Sequence, residues 1–286
     1  WGPTFSFKDH ALQVLGGLLG RELESRTGTV LGATSGDTGS AAIEAVRGRP
    51  NVRIVVLYPE GMVSDFQRRQ MTTVGAKNVF AVAVRGTFDD CQRLVKEAFR
   101  SHRDLLAFNS INWGRVAVQI GYYIYLGSRV GKPFDVVVPT GNFGNVYSCW
   151  MAKQMGVPIA NITIANNANR GLTDLIRAGT MTHDPVVATV APAMDVGLPS
   201  NLERFTGDPS VEFTAGYARD DQIRQTIAEV YRDHNYFLDP HTAAAWHVGS
   251  ATVSARPQVV VATAHPAKFA GTIAEDFVQN LGLPDL

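Results

Sequence analysis

The segment Asp135-Val136-Val137-Val138-Pro139 restricts the fold of this chain more than any other. Three consecutive valines place apolar side chains on both faces of a strand, so both faces must be covered. Continuous apolar strands of this kind belong to parallel sheets, whose neighbours are joined by crossover helices. The rest of the chain supplies both parts. Residues 52–58, 79–84, 162–165 and 259–263 are further strand candidates, and the shorter run 29–33 ends in small residues. Between them, residues 87–100 carry Phe88, Cys91, Leu94, Val95 and Phe99 at the spacing of an amphipathic helix. Helices are also expected at 40–46, 66–74, 116–130, 143–155, 170–178, 220–233, 240–250 and 267–281. The alternation specifies an α/β fold with parallel-rich sheets flanked by helices.

At 286 residues, 45% of them hydrophobic, the chain is long enough for two domains and a large core. Its 26 basic and 26 acidic residues balance, which argues against nucleic acid or an anionic membrane as the main partner. No apolar run reaches bilayer length. Cys91 and Cys149 lack metal-ligand spacing and read as free thiols in a reducing compartment, so a cytoplasmic location is expected. The seven histidines form no zinc motif, and no metal is expected. The chain opens on Trp1, close to chemistry-bearing residues, so an N-terminal region ahead of it is expected, as are shortened loops near 201–208.

In parallel α/β folds, ligands collect beyond the carboxyl ends of strands. Gly141-Asn142-Phe143-Gly144-Asn145 follows the valine strand. Its glycines let backbone amides converge at a helix start, which suits a phosphate; an ordinary strand-to-helix turn is the alternative. It is neither the dinucleotide fingerprint nor a P-loop. Ser35-Gly36-Asp37-Thr38-Gly39 has the same setting, with Ser35 and Thr38 as anion donors or as helix caps. Asn109-Ser110-Ile111-Asn112-Trp113-Gly114-Arg115 adds amides and a guanidinium able to fork onto a phosphate, or to sit on the surface. Thr263 ends a buried strand, where its hydroxyl can meet a heteroaromatic nitrogen or its own backbone, and His265 nearby reads as structural. Lys8, beside Phe5 and Phe7, is either a surface lysine with a packed stem or an amine shielded by aromatics and so a candidate to attack an aldehyde.

The stretches PTFSFKD, ATSGDTG, NSIN, PTGNFGN and TAHPAKF together resemble the threonine synthases, pyridoxal-phosphate enzymes of the tryptophan-synthase-β-like fold, and the resemblance runs essentially end to end. It implies a two-lobed molecule: 28–117 as a smaller lobe carrying substrate-phosphate loops, with 1–27 and 118–286 as a larger cofactor-binding lobe. It implies pyridoxal 5'-phosphate held as a Schiff base on Lys8, with its phosphate on Gly141, Asn142, Phe143, Gly144 and Asn145 and its pyridine nitrogen on Thr263. Ser35, Thr38, Asn109, Asn142 and Arg115 match positions around a substrate phosphate. The activity implied is conversion of O-phospho-L-homoserine and water to L-threonine and phosphate, with Lys8 as base and a monomeric or dimeric enzyme. Asp37 departs from the pattern: many relatives carry Asn there against the cofactor's 3-oxygen, and an ionised carboxylate has no proton to donate. Alternatives are a serine/threonine dehydratase or β-replacement synthase on the same fold, a phospho-lyase releasing 2-oxobutyrate, and a non-enzymatic phosphate or nucleotide binder.

Overall fold

The structure, a computed structural model, describes residues 1–109, 112–182, 184–271 and 273. The chain divides into two compact units, Trp1–Val118 and Gln119–Leu286.

The first unit runs α1 (Lys8–Glu22), β1 (Gly28–Ala33), α2 (Asp37–Val46), β2 (Val52–Pro59), α3 (Asp65–Thr72), β3 (Val79–Val84), α4 (Phe88–Ser101) and β4 (Leu105–Leu106). The division falls inside α5 (Trp113–Val130). Its strands form a parallel sheet in the order β3-β2-β1-β4. Val30, Ile54 and Val56 from the sheet are buried with Ala41, Ala42, Ile43 and Val46 of α2, Leu12 of α1 and Met71 of α3. Full burial of a side chain such as Ile54 is worth about 1.5–3 kcal/mol. Sequence fixes two of the helix starts directly. Ser64 and Gln67, and likewise Thr87 and Asp90, exchange side-chain and backbone hydrogen bonds as capping boxes.

The second unit continues with β5 (Phe134–Pro139), α6 (Gly144–Gln154), β6 (Ile159–Asn166), α7 (Gly171–Ala178), the short α8 (Pro209–Glu212), β7 (Phe213–Tyr217), α9 (Asp220–His234), α10 (Pro240–Ser250) and β8 (Gln258–Val260). Its sheet is also parallel, in the order β7-β6-β5-β8. Every residue of β5 is buried, as its unbroken valines require. The one charge in it, Asp135, accepts hydrogen bonds from Asn161 and Ser254.

Several segments differ from the sequence expectation, among them β8, which ends at Val260 rather than at Thr263. Phe213–Tyr217 forms an edge strand although its apolar run is interrupted by Thr214 and Gly216. The helix expected over 267–281 begins as a 3-10 turn, Pro266–Phe269; residues 272 and 274–281 lie outside the described residues.

Candidate active site

The turn before α1 fixes Lys8 at its backbone. Phe5 adopts a left-handed conformation (φ 59°). The buried carboxylate of Asp9, in the first turn of α1, accepts from Thr4 N (2.9 Å), Thr4 Oγ1 (2.5 Å) and Ser6 N (3.1 Å). A Cβ at Gly2 would lie 2.2 Å from Asp9 Cβ, so only glycine lets the chain close over this carboxylate. Lys8 is therefore the first residue of a helix whose start is clasped from the N-terminal side.

Its amine meets more than aromatic shielding. Nζ lies 5.2 Å from the centre of the Phe7 ring and 3.5 Å from Asp37 Oδ2. Asp37 opens α2, which starts three residues earlier than the sequence suggests and so turns this carboxylate into its first turn. The side chain is 3% exposed. Its other oxygen, Oδ1, accepts from Gln67 Nε2 at 2.9 Å. Asp37 thus sits as a counter-ion to Lys8, a role open to a carboxylate with no proton to donate.

The loop around Asp37 is held by Thr34, whose hydroxyl accepts from the amides of Gly36 (2.9 Å) and Gly39 (2.8 Å). The hydroxyls of Ser35 and Thr38 make no hydrogen bond among the described residues, and α2 has no side-chain cap. Asn109 follows β4, which pairs with β1, so both loops leave the same sheet end. Asn109 and Thr38 line one cleft with Thr34, Gly39 and Phe108. Asn109 Oδ1 is buried and has no hydrogen-bond partner among the described residues. Arg115, in the first turn of α5, is 4% exposed and donates from Nη1 to the Phe108 carbonyl at 3.2 Å. It braces the segment that carries Asn109.

In the second unit, the loop 141–145 leads from β5 into α6. Phe143, the residue before the helix, is left-handed (φ 63°) and offers no side-chain cap. Its buried ring packs edge-on against Phe205 and Phe213, which holds the unusual backbone in place. The first-turn amides of Gly144, Asn145 and Val146 therefore have no side-chain acceptor. Asn145 is buried; its Oδ1 accepts from Tyr123 Oη at 2.7 Å, and its Nδ2 has no partner among the described residues. Tyr123 also shares a hydrogen bond with Cys149, and burial pushes both the phenol and the thiol well above their ordinary pKa. Asn142 is anchored by its carbonyl to Asn201 (3.0 Å to Nδ2) and by Oδ1 to Ser200.

Thr263 lies beyond β8, the parallel neighbour of β5, so it and the 141–145 loop leave the sheet at the same end. Its amide donates to Thr242 Oγ1 at 3.2 Å, and that hydroxyl donates to Asp239. The Thr263 hydroxyl makes no hydrogen bond among the described residues. Asp239 also binds His241 Nδ1 at 2.8 Å, leaving Nε2 to accept from the Ala193 amide at 3.1 Å. Ala193 in turn sits over the loop: a Cβ at Gly141 would lie 2.4 Å from its carbonyl oxygen. His265 is structural as expected, capping the 3-10 turn through Nδ1, and burial lowers its pKa.

Each unit by itself fits one part of pyridoxal phosphate. In the second, an uncapped helix start beside a buried carboxamide nitrogen is a place for an anion; in the first, an amine with a poised counter-ion is a place for an aldehyde. No group of metal-binding side chains occurs among the described residues.

Residues 2–263 match the family of pyridoxal-phosphate dependent enzymes. The chain belongs to that family. Within it, the threonine synthases are the branch it joins. It is 39% identical to the threonine synthase of Pseudomonas aeruginosa over 94% of this chain and 66% of that protein. With the enzyme of Saccharomyces cerevisiae it shares 35% identity over 95% and 66%. The crystal structure of PLP-bound threonine synthase from Brucella melitensis superimposes with a TM-score of 0.88 at 37% identity, covering all of this chain and 70% of that one. The chain thus spans about two thirds of the length of these relatives. Maize serine racemase, at 14% identity and a TM-score of 0.75, shares the fold alone.

Four contributors escaped sequence reading: Thr34, Gln67, Tyr123 and the Asp239–His241 pair. Gln67 has a local signal, the Ser64-x-x-Gln67 spacing of a capping box, and Asp239 another, an N-cap acid before Pro240; both point to helix starts rather than to a site.

Proposed function

We propose that this chain carries the catalytic region of a threonine synthase, converting O-phospho-L-homoserine and water to L-threonine and phosphate. The observation that carries the reading is the 39% identity to a threonine synthase across nearly the whole chain. Chains named for other reactions, such as O-ureido-L-serine synthase, match at 13–14%.

Pyridoxal phosphate, when bound, supplies an electron sink for carbanions next to the substrate nitrogen. The chain supplies the rest. The Lys8 amine would hold the cofactor by its aldehyde, and as a free amine it is the base that moves protons at the substrate carbons. Asp37 balances its charge. The amides of 141–145 and Asn145 Nδ2 bind the cofactor phosphate. The Thr263 hydroxyl serves the pyridine nitrogen as a neutral partner, which favours elimination over transamination. Ser35, Thr38, Asn109, Arg115 and the side chain of Asn142 bind the substrate phosphate, so that two phosphates are held by separate groups, Asn142 giving its backbone amide to one and its side chain to the other. The reading includes a cytoplasmic enzyme with a small-molecule substrate; no helix among the described residues is long and apolar enough to cross a membrane.

The test is to load the protein with pyridoxal phosphate, reduce with borohydride, map the modified lysine, and assay threonine and phosphate release from O-phospho-L-homoserine. Label on Lys8 and equal release of both products are expected. Release of 2-oxobutyrate in place of threonine would move the chain to the phospho-lyases. Loss of a charge-assisted hydrogen bond is worth about 1.5–3 kcal/mol. Arg115→Ala is thus expected to lower kcat/KM for the phosphorylated substrate about tenfold to a hundredfold, and activity on serine much less. Equal losses would make Arg115 only the brace of Phe108.

A further inference from the structure

We propose that Gln67 is a positioning residue for the Lys8 nitrogen, holding the Asp37 carboxylate so that Oδ2 is turned to that nitrogen. The proposal rests on the reading of Lys8 as the cofactor-carrying lysine and deepens it.

The orientation of the Gln67 amide is determined by its neighbours. Ser64 N is a donor and lies 3.2 Å from Oε1, so Oε1 must be the oxygen and Nε2 must face the other way. There Nε2 donates to Asp37 Oδ1 at 2.9 Å. The helix itself fixes the residue, since Gln67 N donates to Ser64 Oγ at 3.2 Å. Gln67 is 1% exposed, so this amide has no water to trade partners with. The loop carrying Asp37 is shaped to receive it: Gly36 stands at φ +133°, and a Cβ there would fall 2.4 Å from the Gln67 amide atoms. Thus α3 reaches across to α2, and α2 faces α1, through one carboxylate with one oxygen for each neighbour.

A glutamine used only to cap α3 would need just its oxygen. Its NH2 end, spent on Asp37, couples the start of α3 to the amine. Without that donor, a carboxylate at 3% exposure loses stabilisation of its charged form. It then becomes a weaker counter-ion, and Lys8 spends more time as the free amine.

The experiment is a double-mutant cycle on cofactor-free protein. It reads the rate at which Lys8 is reductively methylated at fixed pH, relative to exposed Lys96, by peptide mass spectrometry. Gln67→Met keeps the volume and removes the donor. It is expected to raise the relative Lys8 rate about fivefold, an effect of roughly 1 kcal/mol by the constant of tenfold per 1.4 kcal/mol. In an Asp37→Asn background the same substitution is expected to change nothing. Ser64→Ala, which loosens the start of α3 but leaves the Ser64 amide on Oε1, is expected to leave Lys8 at the wild-type rate. The proposal is overturned if Gln67→Met has no effect, if its effect is the same with Asp37→Asn, or if Ser64→Ala reproduces it. Should Gln67→Met fail to fold, Gln67→Leu takes its place; it too removes the donor without adding a charge, and it faces the same three outcomes. The borohydride mapping answers the other question: label on a lysine other than Lys8 sinks the cofactor reading and leaves the cycle's result standing.

Discussion

Cys149 shows how one buried side chain reports on its surroundings. It lies on α6 against Tyr123, whose phenol also holds Asn145, and burial raises its pKa far above that of a free thiol. The thiol is neutral in the folded protein and ionises on unfolding near its ordinary value of about 8.5. A group with a raised folded pKa contributes stability that is complete below the unfolded pKa and is lost as pH rises above it. Stability in urea is therefore expected to be level in this term up to about pH 8 and then to fall by up to about 1.4 kcal/mol per pH unit. Cys149→Ala is less stable at neutral pH but is expected to show a shallower alkaline decline; an unchanged slope would remove the thiol as its cause. At the same scale, a candidate residue can be picked out of the sequence wherever a local pattern suffices. Lys8, the 141–145 glycines and Thr263 each occupy a position that a short motif defines. Gln67 and Tyr123 were not legible, because each acts on a partner more than twenty residues away in sequence, and only the fold brings the two together.

Elements are set by what their ends must accommodate. The loop from β5 to α6 contains two glycines, and the structure separates their roles. A Cβ at Gly141 would strike the Ala193 carbonyl at 2.4 Å, backbone against backbone, whereas one at Gly144 would meet Asn201 at an ordinary 3.4 Å. Gly141→Ala is expected to cost about 1–3 kcal/mol in urea unfolding of the cofactor-free protein, the range for overpacking. Gly144→Ala is expected to be neutral there and to show its effect only in cofactor affinity. Equal stability losses for the two would mean that the turn at Ala193 yields freely. Strands and helices with strong periodicity were legible to within a few residues. The edge strand Phe213–Tyr217 was not, since its pairing with β6 rather than its own composition makes it a strand. The early start of α2 was hidden for the opposite reason: Gly36 at φ +133° is a backbone choice that no side chain announces.

For the whole molecule, each unit has its own parallel sheet and its own buried cluster, so neither core awaits a ligand. Pyridoxal phosphate is then expected to act as an added stabiliser. At a hundredfold excess over Kd, mass action gives about 2.7 kcal/mol, seen as a rise of several degrees in Tm. Lys8→Ala, which retains the 141–145 loop, is expected to keep only a fraction of that rise at the same concentration. An equal rise in both proteins would show that the lysine adds nothing to cofactor retention. In both units the candidate loops follow strand ends, and Lys8 opens α1, so all of them stand outside the ladders that hold the sheets together. Heredity can therefore treat frame and chemistry as separate accounts of the same gene. Turns can be rewritten while sheets drift under packing alone, so a change of reaction need not pass through an unfolded ancestor. Maize serine racemase keeps this fold at 14% identity.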